Sequence, residues 1–81
     1  MKDKYTFKDQ DITTDVLFKI EQIASIIAEK DHISFDDAYA AFIFSDTYNI
    51  LKRTDNLYWA ENAEFIADEY YREKIRQKVN P

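Results

Sequence analysis

Few residues in this 81-residue chain are equipped for chemistry. His32 is its one histidine and it has no cysteine, so a site that needs two imidazoles or a thiolate cannot be assembled. Asp31 or Asp36 could orient His32 as a general base, but no nucleophile is marked out nearby, and a solvated turn residue is the simpler reading. Glu61, Glu64 and Asp68 recur at steps of three and four, which strings three carboxylates along one flank of a helix. Such a stripe could hold a hard cation. A calcium loop needs a glycine, however, and this chain has none; a di-iron bundle needs a Glu-x-x-His pair, which is also missing. The carboxylates then read as a solvated face or as a surface for a basic partner. No metal or cofactor is implied, and the chain is not expected to be an enzyme.

The aromatic residues offer binding rather than catalysis. Six Phe, six Tyr and one Trp make up 16% of the chain, and most such rings at helical spacing face a core. Two do not fit. At about 100° per residue, Phe18 lies about 200° round from Val16, and Phe65 about 200° round from Ala63, each opposite the apolar stripe of its helix. These rings are either exposed or covered by an N-terminal arm, a short third helix, a second copy of the chain or another protein. Aromatic anchors beside carboxylates match the composition of binding surfaces. Phe18, Phe44, Trp59 and Phe65 are therefore the candidate anchors, with Glu61, Glu64 and Asp68 steering a partner.

Charge narrows the partner. The formal net charge of -5 is unevenly spread: residues 9–69 hold fourteen Asp or Glu against four Lys or Arg, while residues 1–8 and 70–81 are each net positive. An acidic centre repels phosphate backbones and anionic headgroups and favours a basic protein surface. Neither direct nucleic-acid binding nor membrane binding is expected. No uncharged apolar run approaches the ~20 residues that cross a bilayer, and no segment resembles a signal peptide, so a cytoplasmic location is expected.

The elements that must position these residues are helices. With no glycine, and proline only at the last position, the commonest chemistry for tight hairpins is lacking. Residues 1–11 read as an N-terminal arm that drops Tyr5 and Phe7 onto the body. A first helix should start at Thr13 or Thr14 as N-cap, carry Val16, Ile20, Ile23, Ala24 and Ile27 on one stripe with Leu17 and Ala28 beside them, and end near Lys30. Asp31 and His32 tolerate the left-handed turn that follows. Ser34 with Asp37 forms a capping box for a second helix through Ala38, Tyr39, Ala41 and Phe42, with Ile33 as a possible staple. Ser45 and Asp46 open a short third helix holding Tyr48, Ile50 and Leu51. Thr54, Asp55 and Asn56 mark a connection. A long last helix from Trp59 shares Ala63, Ile66, Ala67 and Tyr70 on one face and ends in Arg72, Lys74, Arg76 and Lys78, which suit its negative dipole end. The expectation is an all-α fold: one compact domain over residues 1–81, a bundle of three to four helices with a long first and a long last helix.

The order of these signals resembles a family of short, uncharacterised bacterial helical proteins. The matching pieces are Phe18 with Glu21, Ser34 to Phe42, Tyr48 to Leu51, Leu57, and Glu61 to Ala67, about two thirds of the chain. Tyr58 and Trp59 stand where that family has a His-Thr pair. Its members are often encoded beside toxin-like enzymes, and the resemblance implies an antitoxin-like role. The functional expectation is a small acidic binding protein, an antitoxin or inhibitor subunit that grips a basic patch of a partner enzyme. The alternatives are an acidic mimic of nucleic acid that blocks a nucleic-acid-binding groove, and a structural homodimer.

Overall fold

Val16, Ile20, Ile23, Ala24 and Ile27 return at steps of three and four, and burying that stripe winds Thr13–Asp31 into the first helix, α1. The computed structural model describes residues 5–53 and 58–79. α1 ends as its sequence demands: His32 takes the left-handed conformation, φ 57°, and its backbone N–H bonds back to the Ala28 carbonyl. Its start differs from expectation. Ile12 holds the N-cap position without a side-chain cap bond. The Thr13 hydroxyl is engaged elsewhere, accepting a bond from the Tyr5 backbone N–H at 2.9 Å, while Asp11 Oδ1 accepts from the Thr13 N–H at 3.0 Å.

Those bonds belong to a feature that composition argued against. Over its described residues the N-terminal arm is a hairpin of two short strands, β1 (Thr6–Phe7) and β2 (Gln10–Asp11), paired antiparallel with Thr6 opposite Asp11 and Phe7 opposite Gln10. The turn uses Lys8 at φ 51° and Asp9 at φ 66° in place of glycine. Contacts with the body hold it: the Tyr5 and Tyr48 hydroxyls share a hydrogen bond of 2.8 Å, and the Phe7 ring stands edge-on to Trp59 at 5.6 Å.

α2 (Phe35–Ile43) and α3 (Asp46–Leu51) start at serine caps, as read from the sequence. Ser34 Oγ accepts from the Asp37 N–H at 3.0 Å, and Ser45 Oγ accepts from the Tyr48 N–H at 3.1 Å. The expected connection at Thr54, Asp55 and Asn56 lies outside the described residues. Trp59 does not open the last helix but sits in a 3₁₀ turn, Tyr58–Ala60; α4 spans Ala63–Val79. The reason is a cap: Asn62 Oδ1 accepts from the Phe65 N–H at 2.8 Å and sets the start of α4 after it.

The result is an all-α bundle with a long first and a long last helix, in which α1 is central, meeting both α2 and α4, while α3 packs on α4. Phe42, Ile20, Ile23, Ile27, Leu51, Ile66 and Val16 are fully buried in one core, where Phe42 meets the rings of Tyr48 and Tyr70 at 5.8 and 6.0 Å. Because α1 has a neighbour on each side, its outer ridge faces solvent between two grooves.

Candidate interaction surface

That ridge carries Phe18, Glu21, Gln22 and Ser25, all exposed. On the α2 side lies a groove of about 430 Å³ with apolar walls: Leu17 and Phe18 from α1, Phe35 and Tyr39 from α2, and Thr14 and Glu21 at its edges. Phe18 is 59% exposed and makes no ring-to-ring contact among the described residues. Leu17, read from the sequence as flanking the core, is 47% exposed and lines this groove. On the α4 side lies a more polar hollow of about 500 Å³, with Lys19, Glu21, Gln22, Ser25 and Ile26 facing Asn62, Ala63 and Glu64. Glu21 belongs to both.

The seven candidate residues are thus distributed unevenly. Phe18 and Glu64 line adjoining hollows that share Glu21. Phe65, one residue beyond Glu64, is 41% exposed with its ring edge-on to Tyr58 at 6.0 Å. Glu61 and Asp68 are exposed near it, the former with its N–H bonded to the Tyr58 carbonyl. Phe44, 85% exposed, closes α2 over a separate hollow with Ala41, Tyr70, Glu73, Lys74 and Gln77, and that hollow shares no residue with the other two. Trp59 is half-buried against the hairpin, so part of its ring is already occupied. Among the described residues of the arm, Phe7 meets Trp59 and Tyr5 meets Tyr48, and no ring contact joins the arm to Phe18 or Phe65.

Glu21, Glu64 and Asp68 make no ion pair among the described residues, where Arg72 with Glu69 at 3.2 Å is the one pair found. Burial, reinforced by Glu69 and Glu61 and opposed by Arg76, raises the Tyr58 hydroxyl above its usual pKa. Burial and then its hydrogen bond to Asp31, 3.0 Å long, raise Tyr71 likewise. Both phenols stay neutral donors at physiological pH. His32 is exposed at the end of α1. Among the described residues no three His, Asp or Glu side chains converge as a metal site, and no helix is long and apolar enough to cross a membrane.

Sequence reasoning missed Phe35 and Tyr39 as surface residues and Glu73 as a structural one. The first two carried a signal, an aromatic pair four apart on α2 that flanks its buried Ala38 and Phe42. Glu73 carried a weaker one: it continues the stripe of Ile66 and Tyr70 at steps of three and seven, but a carboxylate among basic residues reads as solvated until the fold supplies its partners. No protein-family model, curated protein or solved structure matches this chain.

Proposed function

We propose that this chain is a small cytoplasmic protein-binding module, of the antitoxin or inhibitor-subunit kind, that grips a basic surface of a partner enzyme. The supporting observation is the juxtaposition of an exposed aromatic groove around Phe18 of α1 with two carboxylates that make no ion pair among the described residues, Glu21 of α1 and Glu64 of α4. An apolar anchor desolvated at the centre of an interface is the usual source of binding energy, and a charged rim sets orientation and encounter rate. A homodimer through the same groove fares worse, since a two-fold contact centred there would bring each Glu21 toward its own copy. The test is co-purification of the tagged protein from its native host, with mass spectrometry of whatever is retained in stoichiometric amount. A partner retained by the wild type and lost on Phe18→Ala supports the reading; recovery of the bare protein sinks it. An acidic nucleic-acid mimic would show the opposite ranking, with Glu61→Gln, Glu64→Gln and Asp68→Asn together abolishing inhibition while Phe18→Ala is tolerated.

A further inference from the structure

We infer that the occupant of the α1/α2 groove is a basic amphipathic helix of the partner, and this inference rests on the protein-binding reading above. The two hollows flanking the α1 ridge differ in chemistry. One is walled by Leu17, Phe18 and Phe35; the other presents Glu64 with Lys19 as its one cation; and Glu21 stands on the ridge between them, so carboxylates outnumber cations across the pair. A ligand that satisfies both must carry an apolar stripe and a cationic stripe side by side. An α-helix does this with residues three and four apart on one face and lysines or arginines on the adjoining flank, within a diameter of about 10 Å. Helix-in-groove docking is a recurring mode of peptide recognition and uses this arrangement.

Charge excludes the other occupants. An anionic membrane or a phosphate backbone would meet Glu21 and Glu64, which make no ion pair among the described residues, and a second copy docked face to face through the same groove would set Glu21 against Glu21. A cationic flank meets them with opposite sign. Phe18 and Phe35 are already exposed and aromatic, so the groove needs no rearrangement to accept apolar side chains.

The probe is a synthetic Leu/Lys peptide of ~18 residues, about five helical turns, with leucines on one face. A shuffled peptide of identical composition has no apolar face and controls for plain charge attraction. With the full-length protein labelled for NMR, the amphipathic peptide is expected to bind at least about tenfold more tightly than the shuffled one. It should also shift the amides of residues 17–22 and 35–39. Phe18→Ala should erase the preference between the two peptides, Glu21→Gln with Glu64→Gln should flatten its salt dependence, and Phe44→Ala should change neither. All four substituted residues are exposed, and an unchanged spectrum elsewhere shows that each variant is folded. Equal binding of both peptides, or shifts gathered at Phe44 and Lys74, would overturn the inference. A partner that co-purifies in a Phe18-dependent way although the amphipathic peptide fails would overturn the helix assignment alone, and the protein-binding reading would stand.

Discussion

The carboxylate of Glu73 accepts hydrogen bonds from the Asp46 N–H at 2.9 Å, from the Thr47 N–H at 2.9 Å and hydroxyl at 2.7 Å, and from the Gln77 amide at 3.2 Å. Only 5% exposed, it caps α3 from across the bundle. Burial alone would raise its pKa, but the bonds from Thr47, Asp46 and Gln77 outweigh this and hold it below the ordinary 4.5. A depressed carboxylate pKa means that Glu73 contributes its full stabilisation above about pH 4.5, and that this is lost as pH falls through the lower folded value. Glu73→Gln should therefore cost about 1–3 kcal/mol at neutral pH, with the gap from wild type narrowing below about pH 4.5, as read by urea unfolding at several pH values. Phe18 is the contrasting case. Phe18→Ala should leave stability within about 0.5 kcal/mol, because its ring is mostly solvated, whereas Phe42→Ala should cost about 3–5 kcal/mol by opening a cavity in the core. Thermal melts of the two variants compare them directly.

At the scale of elements, the shortest pieces depend most on their neighbours. The six residues of α3 are too few to be helical alone. Its first N–H groups are satisfied by two sources, Ser45 for Tyr48 and Glu73 for Asp46 and Thr47. The hairpin at residues 6–11 holds two non-glycine residues at positive φ, which costs energy that its tyrosine and tryptophan contacts offset. Replacing Lys8 with Asn and Asp9 with Gly, the residues such a turn prefers, should stabilise the protein by about 1 kcal/mol and raise Tm by about 4–8 °C. Ser34→Ala should lose about 1 kcal/mol through the orphaned Asp37 N–H. Differential scanning calorimetry resolves both changes.

For the whole molecule, the acidic centre and the basic ends set the field that a partner meets. Residues 9–69 carry most of the negative charge, and Glu21, Glu64 and Asp68 remain without internal cations among the described residues. Neutralising all three should leave stability unchanged or slightly raised, because it removes self-repulsion, while slowing association with the Leu/Lys peptide by about tenfold at low salt. Stopped-flow mixing at low and at 0.5 M salt, a concentration at which the Debye length is only about 4 Å, should show the two proteins converging. If the wild type and the triple variant associate equally fast at low salt, the carboxylates play no steering part.

How much of this was legible in the residues divides along the range of the forces involved. Helix periodicity, the Ser34 and Ser45 caps and the His32 turn are local: they depend on residues within four positions, so α1, α2, α3 and the body of α4 could be read directly, as could the placement of Phe18 and Phe65 opposite their stripes, whereas their exposure could not. The same local reasoning missed Asn62 as the cap of α4, although Asn62 and Phe65 had the required spacing, because the apolar run from Leu57 to Trp59 looked like a helix already begun. Other features join residues far apart in the chain. The capping of α3 by Glu73, the pairing of Tyr5 with Tyr48, and the meeting of Leu17 and Phe18 with Phe35 and Tyr39 exist only once the helices have docked. A residue's type and neighbours determine which way its helix turns; what lies opposite it is decided by the packing of the bundle, and the groove is a product of that packing.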